Sequence, residues 1–78
     1  MEQKEVIELA IKNVQDYFEE EITTDDIATA LEKIYCYRGE NFDADAIDFT
    51  LKREKHGLSE KEVKLCSAVV GAFNQLEK

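Results

Sequence analysis

Residues 60–76 place the tightest constraint on how this chain can fold. Read as a helix, the stretch carries Val63, Leu65, Cys66, Val69, Val70, Phe73 and Leu76, with Ala68 and Ala72 among them. At about 3.6 residues per turn, these cover a broad arc. Only Lys64, Ser67, Gly71 and Gln75 remain as a narrow polar or small-residue strip. A helix this apolar must be covered from more than one side. It is therefore expected at the centre of a bundle or as one half of a dimer interface. Gly71 adds to the constraint, because glycine inside a helix costs about 1 kcal/mol relative to alanine. Ser67 and Gly71 lie one turn apart and would admit a close backbone approach. That approach is expected within the monomer or, alternatively, across a self-association contact formed by Ser67, Val70, Gly71 and Phe73.

The start of this helix is signalled twice. Ser59 followed by Glu62 is a capping box, and Leu58 with Val63 is the accompanying hydrophobic staple. Three further helices are expected. Over residues 3–21, Ile7, Ile11, Val14 and Phe18 recur at spacings of four, three and four, with Ala10 and Tyr17 widening the stripe. Over 25–38, Ile27, Leu31 and Ile34 form the buried stripe, flanked by Ala30 and Tyr35. A preceding threonine is the cap, Asp25 and Asp26 suit the positive end of the helix dipole, and Gly39 is the left-handed stop. Over 44–56, Asp43 is the N-cap, Phe42 and Ile47 are the staple, and Leu51 lies one turn further on. Lys52, Arg53, Lys55 and His56 suit the negative end, and Gly57 terminates the helix. The expected fold is all-α, a compact four-helix bundle with helices at 3–21, 25–38, 44–56 and 60–76. Residues 1–78 form a single acidic helical domain.

The composition agrees with this reading and limits what the chain does. Among 78 residues there is no proline and there are three isolated glycines, which favours helix over turn-rich architectures. The net charge is −8, and it is unevenly spread. Residues 1–26 hold nine acids and two lysines, a balance of −7, whereas 27–58 sum to −1 and 59–78 to zero. Nucleic-acid binding depends on Lys and Arg contacts to phosphate, so direct DNA or RNA binding is not expected. No stretch approaches the about 20 apolar residues of a membrane span. No apolar run follows a basic start, so a secretory signal is not expected either. Cys36 and Cys66 have no CxxC spacing and read as reduced thiols of a cytoplasmic protein.

No constellation for catalysis or metal binding emerges. The single histidine, His56, reads as a helix-end residue facing the dipole and solvent. Cys66 falls on the apolar arc and reads as core. Cys36 lies nine residues after Ile27, on the far side of the second helix from its stripe, and is either covered or an exposed thiol. Counting from Asp43 as a calcium loop puts Asp45 third and Glu54 twelfth. However, Ile47 stands fifth where a ligand belongs, and Asp48 stands sixth where the turn needs glycine. In size and acidity the chain resembles acyl carrier proteins, which carry their prosthetic group on an Asp-Ser-Leu serine. Its serines stand instead in Leu58-Ser59-Glu60 and Cys66-Ser67-Ala68, and that function is rejected. Gly57-Leu58-Ser59-Glu60-Lys61-Glu62-Val63 resembles the opening of a helix-turn-helix in some response regulators, but no recognition helix is expected to follow it. No cofactor and no metal are expected.

The stretch from Asp16 to Asp26 remains. It holds Asp16, Glu19, Glu20, Glu21, Asp25 and Asp26 with no basic residue among them. Three of these acids crowd the expected end of the first helix, where negative charge is unfavourable by a few tenths of a kcal/mol each. They act either as a solvated face that confers solubility or as an electrostatic docking site for a basic partner surface, with Tyr17 and Phe18 as apolar anchors. The expectation is a non-enzymatic protein-interaction module, a small acidic regulator or inhibitor, with a homodimer as a further candidate assembly. The alternatives are a nucleic-acid mimic occupying the basic groove of a DNA- or RNA-binding enzyme and, further off, a small thiol-dependent enzyme.

Overall fold

The computed structural model describes residues 3–38, 41–53 and 56–77. It is an all-α four-helix bundle with α1 at Gln3–Val14, α2 at Thr24–Lys33, α3 at Ala44–Leu51 and α4 at Glu60–Leu76. A short 3-10 turn, Gln15–Tyr17, continues α1. Between α2 and α3 the chain makes a minimal antiparallel ladder of β1 (Tyr37–Arg38) and β2 (Asn41–Phe42), with Tyr37 opposite Phe42. The sequence pattern did not announce that ladder.

α4 occupies the centre and packs against each of the other three helices. Leu65, Cys66, Val69 and Ala72 are fully buried. They join Val6, Ile7, Ala10 and Val14 of α1, Ile27, Ala30 and Leu31 of α2, and Ile47 of α3 in one core. One chain thus supplies the many-sided cover that the broad apolar arc demands. The breadth of that arc no longer argues for a dimer.

The close approach expected at Gly71 within the monomer is not there. Ser67 and Gly71 face outward, and a Cβ built on Gly71 meets no atom within 4 Å. Val70 and Phe73 flank this strip, half-buried against the core.

The caps place the helix starts. Ser59 accepts from the Glu62 amide at 3.2 Å while the Glu62 carboxylate accepts from the Ser59 amide at 3.1 Å. Asp43 accepts from the amides of Asp45 and Ala46 at 2.9 and 3.3 Å, and Phe42 and Ile47 are both buried beside it. Thr23 caps α2 in a second capping box, with Asp26 as its reciprocal partner.

Three helix ends fall short of the expected ones. α1 stops at Val14 rather than 21, because Gln15 ties the following segment to itself. Its side chain donates to the Glu20 carbonyl at 2.8 Å and accepts from the Ile22 amide at 2.9 Å. These bonds satisfy the backbone in a bend that carries Ile22 into the core, which a continued helix would not do. Tyr17 consequently lies 69% exposed instead of widening the α1 stripe, and Val6 is buried in its place.

α2 stops at Lys33 rather than 38. Tyr35 takes a left-handed conformation (φ 58°), and the amides of Tyr35 and Cys36 return to the carbonyls of Glu32 and Leu31 at 3.1 and 3.0 Å. That pair of bonds is a Schellman motif with a tyrosine where glycine is usual. Tyr35 is 87% exposed and does not flank the buried stripe. Gly39, the expected stop, lies outside the described residues. α3 ends at Leu51 rather than 56, since Lys52 and Arg53 beyond it are exposed and bring no apolar surface to bury. Gly57 is left-handed (φ +74°), but it sits in the connection to α4 and does not terminate α3. Among the described residues no helix is long and apolar enough to cross a membrane.

Two substitutions are expected to stabilise the fold. Tyr35→Gly relieves a left-handed tyrosine that buries almost nothing, and should gain about 1 kcal/mol. Gly71→Ala places a methyl group in open space on a helix and should gain about 0.5–1 kcal/mol. Denaturant midpoints measure both. A loss at Gly71→Ala would mean that something packs on that strip.

Candidate functional site

The bend fastened by Gln15 turns residues 16–21 across the first half of α4. Lys61 and Lys64 stand one turn apart there and reach the same segment. The Lys61 ammonium pairs with the Glu20 carboxylate and lies 5.9 Å from the centre of the Phe18 ring. The Lys64 ammonium lies 4.7 Å over the Tyr17 ring. Both separations fall within the range in which a cation is attracted to a ring face. Bonding to Glu20 holds the Lys61 ammonium above the usual lysine range. These two lysines are the site residues that sequence reasoning missed. Their i, i+3 spacing was visible, but the loop they would meet was not.

The eight residues expected to dock a partner divide into two groups. Phe18 is half-buried against the core, so it is a structural residue more than an exposed anchor. Glu20 is committed to Lys61. Asp26 is committed to the α2 cap, where the Thr23 amide donates to it at 2.8 Å and, as the largest cause, holds its carboxyl below the usual aspartate range. The others remain available. Asp16, Glu19, Glu21 and Asp25 are exposed, and their side chains make no hydrogen bond or ion pair among the described residues. Tyr17 stands beside them with its ring under Lys64. The glutamates lie just beyond Phe18, the C-cap of the 3-10 turn that continues α1, rather than in the last turn of a helix running to 21 as the sequence suggested.

Glu62 fastens the other flank of α4. Its carboxylate accepts from the Ser59 amide and also pairs with Lys33 of α2 at 2.7 Å. The Lys33 bond, with the Ser59 amide second, pulls its carboxyl below the usual glutamate range.

The remaining reactive groups are dispersed. Cys66 is fully buried, and desolvation pushes its thiol up to about 12. Cys36 does not lie across a helix from a buried stripe, because α2 has ended before it. It is half-buried after the Tyr35 turn, its thiol donating to the Ile34 carbonyl at 3.5 Å and lying 4.0 Å from the Thr50 hydroxyl. His56 does not face a helix end, since it lies in the connection beyond α3. Its Nδ1 accepts from the Leu58 amide at 3.2 Å. With Leu58, Glu60, Val63, Lys64 and Ser67 it lines a shallow, mostly apolar groove along α4. Among the described residues no three His, Cys, Asp or Glu side chains converge as a metal site would require.

No protein-family model matches the chain, and no curated protein or solved structure shows a significant match to it.

The lowered carboxyls of Asp26 and Glu62 carry a pH signature. A carboxylate whose pKa is depressed on folding stabilises the native state above its unfolded value and loses that contribution as pH falls through the folded value. The melting temperature should therefore hold down to about pH 5 and decline below the ordinary carboxylate range of roughly 4. Glu62→Gln should lower the plateau and flatten the acid limb. An equally steep acid limb in that variant would assign the effect to other groups.

Proposed function

We propose that this chain is a non-enzymatic interaction module, a small acidic regulator or inhibitor that docks a basic protein surface. The supporting observation is the group of four exposed acids, Asp16, Glu19, Glu21 and Asp25, whose charges meet no partner within the described chain. Solvated, unpaired charges of one sign create a potential that speeds encounter with the opposite sign and orients it. Exposed Tyr17 supplies contact area that charge alone lacks. The segment is also held in place. Gln15 ties its backbone, and Lys61 and Lys64 brace Glu20 and Tyr17 from α4. A braced loop loses less conformational freedom on binding than a slack one.

Asp16→Asn, Glu19→Gln and Glu21→Gln combined test this reading without touching the residues that hold the bend. The native chain, immobilised, should capture a basic protein from its host lysate at low salt and release it as salt rises to about 0.5 M, where exposed charges are screened within a few ångströms. The triple variant should recover much less of the same protein while melting at the same temperature. Equal recovery by both forms removes the acidic segment from the interface.

A further inference from the structure

We propose that the apolar groove beside this segment seats one face of a cationic amphipathic helix from the partner. This rests on the acidic docking proposed above and names the kind of element that docks. Leu58 and Val63 are half-buried in the groove, Ser67 opens it toward solvent, and His56 and Glu60 form its rim. Lys64 joins the two features, for it lines the groove and reaches over Tyr17 at the edge of the acidic segment. The apolar strip therefore meets, at Tyr17, the segment that carries the exposed acids. Asp16, Glu19, Glu21 and Asp25 contribute four charges, against which Lys12, one helical turn before Asp16, and Lys64 are the cations of this region without a carboxylate partner among the described residues, so the segment keeps a negative balance.

A helix with apolar residues at i, i+3, i+4 and i+7 presents such a strip, and lysines or arginines on its flank would fall over the acids. A neutral helix would forgo the charge. An acidic one would be repelled. A second copy of this chain brings a net charge of −8 to the same surface, which charge complementarity disfavours. The fit thus selects a basic partner helix.

The probe is a fluorescein-labelled Leu/Lys peptide of about four helical turns with one apolar stripe, compared with a scrambled peptide of identical composition that has no stripe. Anisotropy titration at low salt should show the striped peptide binding about tenfold more tightly, a difference of about 1.4 kcal/mol. Ser67→Trp, which fills the groove from an exposed position, should reduce the striped peptide to the level of the scrambled one. Methyl NMR shifts at Leu58 and Val63 provide a readout independent of any substitution.

Equal binding of the two peptides with still methyls overturns the groove while leaving acidic docking in place, since both peptides carry the same charge. Binding of neither peptide overturns the proposal outright, and so does a dimer in the groove, seen as a concentration-dependent sedimentation coefficient that the striped peptide does not alter.

Discussion

The fold depends on removing one face after another of α4 from water. Leu65, Cys66, Val69 and Ala72 have essentially no exposed surface, and each of the other helices contributes to covering them. Burying a large aliphatic side chain contributes about 1.5–3 kcal/mol. A chain of this length retains only a few kcal/mol of net stability. A cavity the size of one such side chain costs about 2–5 kcal/mol, comparable with the whole. Without α4 the other three helices lose the one element that all of them pack against, and only α1 and α2 keep a direct contact of note.

The polar interactions tune this arrangement more than they create it. Glu62 caps α4 and holds α2 through Lys33, and Lys61 and Lys64 hold the bend after α1. Exposed ion pairs contribute at most about 1 kcal/mol each, so their principal effect is positional. They determine where residues 16–21 lie once hydrophobic burial has placed the helices. The same bracing leaves some acids satisfied and others bare, so docking and folding draw on neighbouring residues in one segment.

Helix starts were legible in the sequence, as was the end of α4 at Leu76, but the ends of the other three helices were not. Ser59 with Glu62 and Asp43 with Phe42 and Ile47 are local signals, read over a few residues and realised in the structure. The ends depended on longer-range outcomes. Gln15 competes with α1 only because Ile22 has a core to enter. Tyr35 takes a conformation that tyrosine disfavours, because the Schellman bonds turn Cys36 and Tyr37 back toward the core. The acidic segment was visible as composition. Its division into committed and free acids was not, because that required knowing which side of α4 the bend would meet.

Native-state hydrogen exchange tests the central claim most directly, namely that α4 is the hub of the bundle and is covered by its own chain. The amides from Leu65 to Ala72 should exchange last, through global unfolding, at rates unchanged by about tenfold dilution. Faster exchange in α4 than in α1 or α2, or protection that falls on dilution, would contradict the account and assign the cover of α4 to a second molecule.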